Sequence, residues 1–102
     1  MILEYMHDDD VSTRIDVDYK TNTVKIKNYT DDNINRAFGC NEHPSMKDFE
    51  EFLEERCFPR TRDHLKLILR DMGLDYYDPL AIVRITQGRL EGDRMWIRFV
   101  EG

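Results

Sequence analysis

Two stretches early in the chain alternate between apolar and polar positions. Ile15, Val17 and Tyr19 interleave with Arg14, Asp16 and Asp18, and Val24 and Ile26 interleave with Lys25 and Lys27. A period of two sends successive side chains to opposite faces, so Arg14 to Tyr19 and Val24 to Tyr29 read as strands with one face on a core. Lys20 to Thr23 is the loop between them, with Asn22 able to take a left-handed conformation. Asp16 and Asp18 on one strand and Lys25 and Lys27 on the other have opposite sign, which favours pairing on the solvent face. A third alternation, Met95, Ile97 and Phe99 against Trp96, Arg98 and Val100, predicts a closing strand.

Between these the spacing becomes helical. Thr30 or Asp31 can cap a short helix carrying Ile34, Ala37 and Phe38, with Gly39 as its stop. Ser45 and Asp48 form a near capping box ahead of Met46, Phe49, Phe52 and Leu53, which fall on one stripe of a helix from Ser45 to Cys57 that Pro59 closes. Thr61 is placed to cap a further helix with Leu65, Ile68, Leu69 and Met72 inward and Gly73 past its end. These two helices are expected to form a hairpin. Asp78-Pro79 is a cap followed by proline at the first helical position, leading into Leu80, Ile82, Val83 and Ile85, with Gly88 beyond. The expected fold is α+β: one domain over residues 1–102, a small antiparallel sheet made of the N-terminal hairpin and the C-terminal strand, packed with three to four short helices. Leu69 and Trp96 are expected in its core.

Composition supports a folded domain, since 40% of residues are hydrophobic and 11% aromatic despite 35% charged, too rich for a disordered tail. No apolar run approaches the roughly 20 residues of a membrane span, and Met1 to Asp10 meets acid where a secretory signal needs its apolar stretch. A cytoplasmic protein is expected. Two cysteines do not make a disulfide framework, so Cys40 and Cys57 are expected as free thiols or metal ligands.

Charge changes the picture most. Residues 1–55 carry 14 Asp/Glu against 6 Lys/Arg, a net of −8, and residues 56–102 carry 7 against 9, a net of +2. The acid culminates in the helix from Ser45 to Cys57, where Asp48, Glu50, Glu51, Glu54 and Glu55 lie off the apolar stripe. Glu50/Glu54 and Glu51/Glu55 are like-charge pairs four residues apart, each costing an isolated helix roughly 0.2–0.5 kcal/mol. Three explanations fit: a solvated face that serves solubility, neutralisation by Arg56, Arg60, Arg62, Lys66 and Arg70 nearby, or a surface that meets a basic cleft on another protein. Basic residues of the second half, Arg84, Arg89, Arg94 and Arg98, lie near Tyr76, Tyr77 and Trp96, yet direct nucleic-acid binding calls for a more basic domain than this one.

Cys40-x2-His43 and Cys57-x6-His64 supply four residues of the kind zinc prefers. A helix from Ser45 to Cys57 would separate the pairs by about 18 Å. Cys40 and His43 are therefore the better pair, completed by carboxylates such as Asp75 or Asp78, or by His7 and the Asp8-Asp9-Asp10 run, with Cys57 and His64 as outside candidates. No nucleophile elbow, glycine-rich oxyanion turn or phosphate loop occurs, so no catalytic residue is assigned and no enzyme is expected.

The stretch Arg56-Cys57-Phe58-Pro59-Arg60-Thr61-Arg62, with Leu65, Leu69, Gly73-Leu74, Asp78-Pro79, Thr86-Gln87-Gly88-Arg89 and Asp93-x-x-Trp96-Ile97, resembles a module of small proteins from Firmicutes mobile elements, some encoded beside HipA-like kinases. The whole chain, short, acidic and without catalytic signature, also resembles the type II-A anti-CRISPR proteins of such mobile and phage elements, a group without a shared motif that would carry residue roles onto this sequence. That resemblance implies a bacterial cytoplasmic inhibitor. Its partner would be a type II CRISPR effector nuclease, engaged through the acidic surface so that guide or target nucleic acid is not loaded. The first resemblance implies the alternative, a small regulator or antitoxin-like module of a HipA-like kinase operon that makes contact through Arg56 to Trp96.

Overall fold

The computed structural model describes residues 1–100. The chain runs β1 (Ile2–His7), β2 (Asp10–Asp18), β3 (Thr23–Asn28), α1 (Met46–Glu55), α2 (Leu65–Asp71), α3 (Pro79–Thr86) and β4 (Met95–Val100). The four strands form one antiparallel sheet in the order β3-β2-β1-β4, an α+β fold as the alternation and helical spacing imply. The closing strand does not return to the β2–β3 hairpin. It pairs with β1, which the alternation rule passes over because Ile2-Leu3-Glu4-Tyr5-Met6 is nearly continuously apolar. That is the pattern of a central strand flanked on both sides. A two-residue turn with Asp8 left-handed (φ 52°) joins β1 to β2, and Asn22 (φ 55°) serves the β2–β3 loop. Between Tyr5 and Met6 the register shifts so that Ser12 of β2 is the extra residue of a bulge.

One core lies between the helices and one face of the sheet. Leu3, Tyr5, Ile15, Val17 and Ile97 point down from the strands onto Phe49, Phe52 and Leu53 of α1, Leu69 of α2 and Ile82 and Val83 of α3. The Tyr5 ring meets Phe52 edge-on at 5.1 Å. Side chains of this size each contribute about 1.5–3 kcal/mol on full burial, so the helices are held mainly by this one face. Ser45 caps α1 with a complete capping box: its hydroxyl accepts from Asp48 N–H and Asp48 accepts from Ser45 N–H. Asp78 caps α3 with Pro79 at its first turn, and Gly73 (φ 80°) lets Leu74 N–H reach back to the Leu69 carbonyl at the end of α2.

Four expectations need correction. Residues 30–39 form turns and no helix: Asp32 accepts from Ile34 N–H, Thr30 Oγ1 accepts from Asp32 N–H, and Ile34 is 90% exposed. Short polar side chains bonding their own backbone compete with the helix, and only Ala37 and Phe38 reach the core. Thr61 caps nothing; residues 59–64 make a turn in which Arg62 N–H donates to the Pro59 carbonyl and His64 is left-handed, so α2 begins at Leu65. The helix packed beside α1 is α3, and the expected hairpin of α1 with α2 does not form. Leu69 is buried, but Trp96 is half-buried on the opposite sheet face, where its indole N–H donates to the Asp8 carbonyl at 2.7 Å.

Candidate functional site: the acidic face of α1

The apolar stripe of α1 turns Phe49, Phe52 and Leu53 inward and leaves Glu50, Glu51, Glu54 and Glu55 exposed on adjacent turns. Of the five basic residues that could neutralise them, one does so: Arg60 Nε meets Glu54 Oε1 at 2.8 Å, with its guanidinium over the Tyr77 ring at 4.4 Å. Arg62 lies over Phe58. Lys66 and Arg70 are exposed on α2, and among the described residues no ion pair joins them to α1. Asp48 differs from the other carboxylates: it is held by the cap and by the Asn41 amide, and the Ser45 N–H drives its carboxyl below the ordinary range. The available acidic face is therefore Glu50, Glu51 and Glu55, with Glu54 half-neutralised.

A cleft of about 490 Å³ opens where Glu50 and Glu54 face Tyr19, Asp78 and Leu80. Burial, then the charges of Glu50 and Asp78, raise the Tyr19 phenol, so it stays protonated as a hydroxyl donor. Tyr19 and Asp78 come from the end of β2 and the cap of α3; sequence spacing gave no sign that they would join Glu50.

Arg56 sits at the end of α1 and serves the interior. Its Nε donates to the Gly88 carbonyl at 2.9 Å, Nη2 donates to the Met95 carbonyl at 2.9 Å, and the guanidinium grips both Asp93 oxygens at 2.9 and 3.2 Å. It is 7% exposed and lies over the Tyr5 ring at 5.5 Å. Its hydrogen bond holds the Asp93 carboxyl below the usual range. This clamp joins α1, the α3–β4 turn and β4.

The metal candidates lie in unlike surroundings. Cys40 is exposed and Cys57 buried, both as free thiols. The Cys57 thiol donates to the Leu53 carbonyl at 3.2 Å, and burial pushes it up to about 11, which opposes the thiolate that a metal or a nucleophile requires. His43 and His64 are exposed. Among the described residues no three His, Cys, Asp or Glu side chains gather as a metal site needs. No helix among them is long and apolar enough to cross a membrane.

On the sheet face away from the helices, Glu4 and Arg98 extend the polar row of Arg14 and Lys27 across all four strands. Glu4 of β1 is only 8% exposed, between Arg98 of β4 at 2.6 Å and Arg14 of β2 at 3.9 Å, with Lys27 of β3 next in register. Comparison with known proteins finds no matching family model, no matching curated protein and no matching solved structure.

Proposed function

We propose that the chain is a non-enzymatic interaction protein whose acidic α1 face occupies a basic nucleic-acid cleft on a type II CRISPR effector nuclease, excluding guide or target strand. The observation that carries this reading is that Glu50, Glu51 and Glu55 remain solvent-facing on adjacent turns, while the arginines able to cancel them are turned elsewhere. A rigid helix with carboxylates one turn apart presents a negative ridge of the kind a phosphate-binding channel accepts. Such a contact depends on screened charge and weakens as salt rises.

Cleavage of target DNA by purified effector nuclease, assembled with its guide before or after this protein is added, tests the reading. The parent should inhibit, and a Glu50/Glu51/Glu54/Glu55 to Gln variant with unchanged melting should not. Full inhibition by that variant, or none by the parent, refutes it.

A second reading is favoured by Leu67, Tyr76 and Ile85, which are 48%, 68% and 52% exposed on the second half of the chain. In this reading, apolar surface between Arg56 and Trp96 contacts a HipA-like kinase. Gln substitutions on α1 would spare that interaction, so the same variant separates the two.

A further inference from the structure

We propose that the open face of the sheet docks a second copy of this chain, receiving the acidic face of its α1. All three helices contribute to the core on one side of the sheet, and among the described residues none packs on the other. That other face is basic in an acidic molecule. Lys27, Arg14, Glu4 and Arg98 stand side by side on β3, β2, β1 and β4, and Lys25 stands beside Asp16 in the next row. With Asp18 one row further along β2, four cations meet three carboxylates. Glu4 takes both arginines, whose side chains remain 42% and 48% exposed, while Lys25 and Lys27 stay exposed and form no ion pair within 4 Å among the described residues.

Charge complementarity selects the occupant. The chain carries its own complement, the ridge Glu50, Glu51, Glu54 and Glu55. Carboxylates one turn apart recur about every 6 Å along a helix, and neighbouring strands lie about 4.8 Å apart, so α1 laid across the strands brings acids close to successive cations. One molecule cannot close this contact on itself, because α1 buries its apolar stripe under the sheet and turns its acids away from it. A nucleic-acid strand fits the face less well. The chain's net charge is −6, and each of the two aromatic rings near this face already has a cation of the chain over it, Lys27 over Tyr29 at 5.2 Å and Arg89 over Trp96 at 4.7 Å.

The contact joins two different surfaces, so it is head-to-tail, and copies add until the rotation between them closes a ring. Mass should therefore rise with concentration above that of one chain. The effector reading uses the same α1 face, so the two contacts compete for it, but DNA cleavage assays report the one and sedimentation the other.

Sedimentation equilibrium at about 0.05 M and about 0.5 M salt tests the inference, because charges are screened over about 10 Å at 0.1 M. Two variants accompany the parent, Lys25→Glu/Lys27→Glu on the sheet and Glu51→Lys/Glu55→Lys on α1, each checked for an unchanged melting transition. The parent should associate at low salt and dissociate at high salt, and each variant alone should associate at least about tenfold more weakly. The two variants mixed should recover association, because each then offers the charge that the other needs. A parent that stays monomeric at low salt up to about 1 mM, association indifferent to either variant, or a mixture that fails to recover it would overturn the proposal. If a single-stranded oligonucleotide bound the monomeric parent and not the Lys25→Glu/Lys27→Glu variant, the face would belong to nucleic acid and the proposal would fall.

Discussion

Replacing Arg56 with Ala removes four hydrogen bonds at once. Two end on the carbonyls of Gly88 and Met95 beneath a side chain that is 8% exposed, and two end on Asp93, whose side chain is 37% exposed. A buried acceptor that loses its donor costs about 1–3 kcal/mol. The Asp93 pair contributes less, because water screens it. The lost packing of the guanidinium stem against Tyr5 adds to this, and the total of about 3–5 kcal/mol matches what breaking a buried ion pair usually costs. A domain of this size has roughly 5–15 kcal/mol in all, so urea unfolding at neutral pH should show the loss directly as a lower midpoint with little change in slope. Arg56→Lys keeps the charge but offers one donor centre to three separated acceptors, and it should recover less than half of the loss. Acid sharpens the test. The Asp93 carboxyl is held below its ordinary 3.8 by Arg56, so its contribution is full above that value and disappears as pH falls through the lowered folded value. The gap between parent and Arg56→Ala should narrow below about pH 4. A midpoint shift equivalent to less than about 1 kcal/mol, or a Lys variant as stable as the parent, would refute this account of the clamp.

Gly88 has φ 63°, and a methyl added there would meet Ile97 Cδ1 at 3.0 Å, so Gly88→Ala should destabilise by about 1–3 kcal/mol in the same unfolding assay. Leu69→Ala, at a buried position on α2, should cost about 2–5 kcal/mol; a transition barely moved would mean α2 contributes little to the core. A thiol-alkylating reagent at pH 8 should label one cysteine, Cys40, in the native chain and both in denaturant, because the Cys57 thiol is buried and pushed up to about 11; fast native labelling of Cys57 would contradict its burial. With no three His, Cys, Asp or Glu side chains gathered among the described residues, untagged protein should carry less than about a tenth of an equivalent of zinc, and Cys40→Ser should melt with the parent; a full equivalent would show that such ligands come together.

Elements whose signals are local were legible in the sequence. The caps at Ser45 and Asp78, the stop at Gly73, the turn at Asn22 and the three alternating strands each rest on residues within a few positions of one another, and each stands where spacing puts it except that β2 begins at Asp10, ahead of Arg14. Where the reading failed, a local rule was met and a non-local one decided. The run Ile2 to Met6 alternates poorly because β1 lies between β2 and β4, so its apolar content follows from neighbours distant in the chain. Thr61 satisfies the rule for a helix cap, yet the turn after Pro59 occupies that stretch.

The acidic face shows the same division at the level of function. That Glu50, Glu51, Glu54 and Glu55 share a solvent face follows from helical spacing alone. Whether their charge is cancelled depended on which of five nearby basic residues turned toward them, and Arg56, the closest in sequence, turned inward to Asp93, which lies 37 residues away. Its charge therefore stabilises the fold and leaves most of the negative ridge of α1 open. An arginine placed to cancel the ridge would have left the Gly88 and Met95 carbonyls without a donor, so the clamp and the exposed acid follow from the same choice of partner. A site of this kind becomes visible only when the three-dimensional partners of its neighbours are known, because its availability is set by contacts its own residues do not make.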